Sequence, residues 1–213
     1  MSNVRIIQGD CMEAMKAMPD KAYELAIVDP PYGINWMKQI QNPNVNANWK
    51  VYDNKSWDSS APPPEYFYEL KRVSVNQVIW GANYMAENAV TSTPCWLIWD
   101  KCQEFSGATF EMAWTSFKSP AKAFRFSRVE AYANQTKIHP TQKPVALYQW
   151  ILKNYAKPGD RILDTHGGSC SSAIACDIMG FDCDIWEIDA DYYRAAVERF
   201  ERHKQQTVLE FST

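Results

Sequence analysis

The last third of the chain alternates strand and helix signals with almost no slack between them, and that alternation leaves few folds open. Pro158-Gly159 turns the chain into an apolar strand, Arg161 to Asp164, and Ser171 to Met179 reads as a helix stopped by Gly180. Asp182 to Glu187 is the next strand, and Asp189 caps a final helix expected to run to about His203. Upstream, Pro144 is expected at the first position of a helix ending near Ala156. Strands separated by helices pair in parallel, because each helix carries the chain back across the sheet. The expectation is an α/β fold, a doubly wound and mostly parallel sheet with helices on both faces.

The first part of the chain fits that scheme. A strand at Val4 to Ile7 leads to a helix capped by Asp10, with Met12, Met15 and Met18 on its buried side. Tyr23 to Val28 is an apolar run of the kind a buried parallel strand needs, and it ends in Asp29-Pro30-Pro31-Tyr32. From residue 33 to 64 regular pattern disappears in favour of Asn, Trp and Lys; a loop of that length is expected to be functional or mobile. A helix at about Glu65 to Val73 follows, then strands at Gln77 to Trp80, Trp96 to Trp99, Glu111 to Phe117 and Ala123 to Phe126.

With 213 residues, 46% hydrophobic and 22% charged, the chain suits one globular domain spanning 1–213. No apolar run approaches the roughly 18 residues of a membrane span, and the N-terminus lacks a basic-then-apolar signal, so a cytoplasmic protein without membrane contact is expected. Six cysteines without a CxxC pair and three scattered histidines point to reduced, packed thiols and no metal site. A net charge of −3 rules out a uniformly basic coat. It leaves room for a local one: Lys118, Lys122, Arg125, Arg128, Lys137 and Lys143, opposed only by Glu130, form a candidate nucleic-acid-binding stretch. The competing reading is a solvated edge strand protected by lysines.

Ligands of open α/β sheets bind beyond the carboxyl ends of the strands, where Asp29 to Tyr32 falls. Two prolines stiffen that turn and remove two N–H groups, leaving carbonyls to point outward. A carboxylate and a carbonyl can accept both hydrogens of an amino group, while a tyrosine ring stacks on the base that carries it. That geometry aims the nitrogen lone pair at a methyl donor, so catalysis is mostly positioning. A base in a duplex reaches such a pocket only when flipped out.

The donor side starts at Asp164-Thr165-His166-Gly167-Gly168-Ser169-Cys170, a glycine turn between strand and helix, with Glu187 ending the next strand where a carboxylate receives ribose hydroxyls. These features would also suit a dinucleotide, but the GxGxxG phosphate cradle is absent. S-adenosylmethionine, a cofactor with a ribose and no phosphates, fits better. Thr141 and Lys143, before the helix after Pro144, are candidates for its methionine carboxylate. Asp10 is a helix cap that can also border the cofactor.

Taken together, GDCMEAMKAMPD with DPPYGI, then WGANY, CWLIWDK, FEMAWTSF and HPTQKPVALYQWILKNYAKPGDRILD, resemble the β-group of DNA amino-methyltransferases over nearly the whole chain. The resemblance implies a Rossmann-like, S-adenosylmethionine-dependent methyltransferase fold with permuted motif order, DPPY preceding the glycine turn. It implies that Asp29, Pro30, Pro31 and Tyr32 hold the target base, with Asp29 also bordering the cofactor. Asp164, His166, Gly168 and Ser169 would hold the methionine moiety, Glu187 the ribose, and Asp10 with Cys11 the adenine of the cofactor. DPPY leans toward adenine N6 over cytosine N4, and the implied partner is double-stranded DNA. A subunit this small covers little duplex, which leaves room for a homodimer; a cognate restriction enzyme is the other partner the resemblance allows.

Two departures stand out. The family's cofactor turn reads D-x-F-x-G-S-G, whereas here His166 replaces the aromatic and Cys170 the last glycine, a strained choice if φ there is positive. The segment from Arg128 to His139 is also short for a target-recognition region, so sequence reading would fall to the 33–64 loop or a second subunit. The rival readings are a DNA-binding module that has lost its cofactor, and the same chemistry on RNA or a glutamine amide.

Overall fold

The computed structural model describes residues 2–35, 57–85, 91–103, 108–132 and 137–210. Most of the 33–64 loop lies outside these. Eight strands form one sheet: β1 (Val4–Gln8), β2 (Tyr23–Val28), β3 (Ser74–Trp80), β4 (Trp96–Asp100), β5 (Phe110–Thr115), β6 (Lys122–Arg125), β7 (Arg161–Asp164) and β8 (Asp182–Glu187). Their spatial order is β1-β8-β7-β2-β3-β5-β4-β6. Among the described residues only the β3–β5 and β4–β5 pairings are antiparallel, so the sheet is mostly parallel, as its helix-separated strands require.

The helices are α1 (Cys11–Ala17), α2 (Pro64–Val73), α3 (Arg128–Tyr132), α4 (Val145–Tyr155), α5 (Ser171–Met179) and α6 (Ala190–Glu210), with a 3₁₀ turn at Ala82–Tyr84. Alternation along β2 divides the core. Leu25 and Ile27 face Leu147 and Ile151 of α4, Ala173 of α5, and Ala196 and Phe200 of α6. Ala26 and Val28 face Met15 of α1 and Tyr66, Phe67 and Leu70 of α2. Both sheet faces are therefore covered, and β2 is buried on both, which is why its sequence is apolar without alternation.

Several boundaries shift. Pro144 is not the first helical residue: at φ −68 and ψ 145 it is the extended N-cap of α4. The last helix continues past His203 to Glu210, because nothing in its polar tail breaks it. The 3₁₀ turn and α3, too short for periodicity to register, were not foreseen. Among the described residues no helix is long and apolar enough to cross a membrane. None of the six cysteines is in a disulfide; four are buried, and Cys102 is exposed.

Strand order reverses between β7 and β2. From β7 the chain winds outward through α5 to β8, with β1 beyond it at the sheet edge; from β2 it winds the other way through α2 to β3. Crevices open at such a reversal. The turn after β2 and the turn after β7 flank it.

Candidate active site

The turn after β2 is held from behind by Asp58, whose Oδ1 accepts the N–H groups of Tyr32 at 2.7 Å and Gly33 at 2.9 Å. Asp58 is 4% exposed, and its backbone carbonyl accepts the N–H of Asn35 at 3.0 Å. It lies in the stretch without pattern, where nothing in the sequence distinguishes it from Asp53. Hydrogen bonds to an ionised acceptor contribute about 1.5–3 kcal/mol. Asp58→Ala is therefore expected to lower unfolding free energy by about that much and to raise KM for the methyl acceptor. A denaturant midpoint equal to the parent's would remove Asp58 from this role.

Tyr32 does not project freely. Its hydroxyl donates to Asp29 Oδ1 at 2.7 Å, and its ring stacks on Tyr84 with centroids 5.3 Å apart and planes 16° apart. Gly81, at φ +68, must be glycine here, since a Cβ would come within 2.0 Å of the Tyr32 ring. Tyr84 and Gly81 both come from the WGANY segment, but their packing against Tyr32 had no sequence signal.

Behind Asp29 lies a buried chain of alternating charge. Lys143 Nζ is 2.5 Å from Asp29 Oδ2 and 3.1 Å from Glu111 Oε2, and Lys101 Nζ is 2.8 Å from Glu111 Oε1. Lys143 also donates to the Tyr32 hydroxyl at 3.1 Å. Burial raises the pKa of Asp29, and Lys143 offsets only part of that rise. Burial also opposes ionisation of Glu111, but Lys143 and Lys101 outweigh it and lower its pKa to about 2. Lys143, penalised by burial yet flanked by two carboxylates, has its pKa raised and stays charged. Glu111 and Lys101 sit in segments that carried the family resemblance, yet no role was foreseen for them.

Two cavities meet at this turn. The larger, about 710 Å³, is lined by Asp29, Pro30, Tyr32, Glu111 and Gln142 among others. The smaller, about 280 Å³, is lined by Pro31 together with Asp10, Cys11, Tyr66, His166 and Glu187. The two adjacent prolines thus face different cavities, and Trp57 borders both.

Four of the ten residues expected around the cofactor, Asp10, Cys11, His166 and Glu187, line the smaller cavity; Asp164, Gly168 and Ser169 lie next to these in the glycine turn without lining it. Asp10 caps α1, its Oδ1 accepting the Met12 N–H at 2.7 Å. The Cys11 thiol, its pKa raised to about 12 by burial and by Asp10, is neutral. Glu187 accepts the N–H of Gly168 at 2.7 Å and of Asp189 at 2.8 Å, one on each oxygen, and a carboxylate has further lone pairs for hydroxyls. Asp164 accepts from Ser172 Oγ at 2.6 Å and from the His166 N–H at 3.1 Å, yet burial still lifts its pKa to about 7. Ser169 is buried, its hydroxyl 3.2 Å from that of Ser171.

Both departures in the glycine turn have a physical reading. Burial lowers the His166 pKa to about 4, so the ring is uncharged at neutral pH. It packs edge-on to Tyr66 with centroids 5.3 Å apart, as an aromatic side chain would. Cys170 adopts φ 51 and ψ 40 as N-cap of α5, the left-handed conformation that a glycine would take without cost. Its buried side chain packs in the core, which offsets some of roughly 1–2 kcal/mol of strain.

The remaining candidates lie elsewhere. Thr141, expected at the cofactor, lines the larger cavity, with its hydroxyl 3.1 Å from His139 Nδ1. Lys143, expected there too, is committed to Asp29 and Glu111. The basic stretch divides. Lys118 is exposed, while Lys122 and Arg125 sit on the edge strand β6, bonded to Asn154 at 2.9 Å and Asp100 at 3.0 Å. Arg128 and Lys137 line the larger cavity.

A family model described as DNA methylase, for N6 and N4 methylation, matches residues 70–198. The chain belongs to this DNA methylase family. It is 24% identical over 249 residues to the type II methyltransferase M.HinfI of Haemophilus influenzae, covering 93% of this chain and 68% of that protein. Among solved structures it is similar to M1.HpyAVI in complex with SAM, with TM-score 0.60, 18% identity and coverage of 92% and 98%. The cytosine-N4-specific PvuII DNA methyltransferase is similar as well, with TM-score 0.61, 13% identity and coverage of 96% and 91%. Those identities speak for the fold, and the fold of this methylase family member is theirs.

Proposed function

We propose that the protein transfers a methyl group from S-adenosylmethionine to the N6 amino group of an adenine flipped out of double-stranded DNA. The observation that carries this reading is the placement of the Asp29–Tyr32 turn between the two cavities, with Asp29 and Tyr32 lining the larger and Pro31 the smaller, at the strand-order reversal. The DPPY form supports adenine over cytosine.

The residues present fit the cofactor. Glu187 keeps acceptor capacity for ribose hydroxyls, and Gly168, at φ +51 with its N–H on Glu187, holds the turn open beside that carboxylate. Bound there, S-adenosylmethionine supplies an electrophilic methyl on a sulfonium. Asp29 accepts hydrogens of the target amine and turns its lone pair toward the smaller cavity. Pro30 and Pro31 have no N–H to compete for Asp29. Asp29 is also the group placed to take the proton the amine releases.

The test is to incubate the protein with unmethylated genomic DNA and cofactor, digest to nucleosides and identify them by mass spectrometry. N6-methyladenine is the expected product. N4-methylcytosine alone would overturn the base assignment.

Asp164 gives this reading a pH dependence. If it accepts the cofactor ammonium, the proton it holds below pH about 7 must leave first. Cofactor affinity should then fall about tenfold per pH unit below that point, and Asp164→Asn should flatten the profile in calorimetry. For stability the sign is opposite to that of a paired carboxylate. The penalty of ionising buried Asp164 is absent below its ordinary 3.8 and complete above about 7.

Arg128 and Lys137 are the cations we assign to the DNA backbone, because they share the larger cavity with Asp29. Changing both to Gln should flatten the salt dependence of DNA binding by about two phosphate contacts. An unaltered slope would return them to a structural role.

A further inference from the structure

Buried polar side chains nearly always find partners, and an unpaired donor costs about 1–3 kcal/mol, so each exception asks for a reason. Among the described residues, three of the buried side-chain donors without a partner are indole N–H groups. The fourth is the amide nitrogen of Gln142. Gln142 is 3% exposed and belongs to the wall of the larger cavity, with Asp29 and Tyr32.

Its orientation is fixed. Oε1 accepts the N–H of Ile138 at 3.1 Å, so rotating the amide by half a turn would set two donors against each other. The backbone is held too, since the Tyr132 hydroxyl donates to the Gln142 carbonyl and the Gln142 N–H bonds the His139 carbonyl at 3.2 Å. The next residue, Lys143, is anchored on Asp29. The unpaired Gln142 amide and the Asp29 carboxylate thus belong to residues lining one cavity.

We propose that the Gln142 amide donates to the ring nitrogen next to the amino-bearing carbon of the flipped base, N1 of adenine. This rests on reading the Asp29 turn as the base site. Along its pairing edge adenine offers a donor, the amine, and then an acceptor, N1; cytosine offers the same order with N3. Guanine and thymine offer the reverse, a carbonyl and then a ring N–H. Asp29 followed by Gln142 complements the first order. Against the second it opposes acceptor to acceptor and donor to donor. Gln142 is in this account a specificity residue that makes the pocket accept amino bases and reject oxo bases.

The test uses duplexes of the methylated sequence, once modified-base sequencing has defined it, with the target adenine replaced by 1-deazaadenine or 7-deazaadenine. The parent protein should lose at least about tenfold in kcat/KM on 1-deazaadenine and little on 7-deazaadenine. Gln142→Leu should be similarly slow on normal DNA and should lose nothing further on 1-deazaadenine, because both changes delete one hydrogen bond. Should that variant fold poorly, Gln142→Glu keeps the Ile138 contact and should likewise abolish the 1-deaza penalty. A full 1-deaza penalty in either folded variant, or none in the parent, overturns the proposal. If the product is N4-methylcytosine, the adenine assignment fails separately and 3-deazacytosine repeats the comparison.

Discussion

Asp29→Ala is expected to lower the methyl-transfer rate by at least about 100-fold while leaving S-adenosylmethionine bound. An exocyclic amine is a poor nucleophile because its lone pair is delocalised into the ring. Holding its hydrogens on a fixed acceptor is the main lever this site has. Asp29 supplies that acceptor from the wall of the larger cavity, held in place by Lys143 and the Tyr32 hydroxyl, and the neighbouring Pro30 and Pro31 have no N–H to compete for it. The variant should still fold, since Lys143 keeps Glu111 at 3.1 Å. Asp29→Asn retains one oxygen and should fall between the two. Single-turnover methylation with calorimetry of cofactor binding separates chemistry from binding. A variant within threefold of the parent rate would sink the role given to Asp29.

Lys143→Met should produce the largest loss of stability of any single change at this site, about 3–5 kcal/mol. Methionine fills similar space, so packing is nearly conserved; what goes is the ammonium 2.5 Å from Asp29. Glu111 still has Lys101 at 2.8 Å, but Asp29 is left as a buried carboxylate with its cation gone. The pH response should change shape as well. In the parent, Glu111 lies at about 2, below its ordinary 4.5, so its stabilisation is complete above 4.5 and is lost as pH falls toward 2. In the variant, protonating Asp29 relieves an uncompensated charge, so stability should rise as pH falls from neutrality. Urea melts across pH would expose this, and a loss under 1 kcal/mol would mean the charges are screened by water.

What the sequence made legible follows physical range. β7, α5 and β8 carry their own boundaries, because local signals such as Pro158-Gly159 and Gly180 set them. The DPPY turn and the glycine turn were legible because scarce backbone conformations demand particular residues. Asp58, Gly81, Tyr84 and Gln142 were not legible as site components. Their importance lies in what they touch, and Asp58 reaches Tyr32 across 26 positions of chain. Lys143 stands out in the sequence for its charge, but nothing local says that Glu111 is 3.1 Å away. Cys170 shows the converse: its positive φ could be anticipated, because the position itself dictated it.

The strand order also bears on how the molecule is made. β2 lies between β3 and β7, and among the described residues β1 pairs only with β8, with Val4 opposite Cys183. The acceptor turn thus leaves the ribosome long before the strand that must flank it. Until residues near Leu163 are available to pair with Ala26, one edge of β2 stays open. Such distant pairings slow folding, and an unpaired apolar strand is a template for association with other chains. The permuted order therefore makes early synthesis the time at which this protein is most exposed to aggregation.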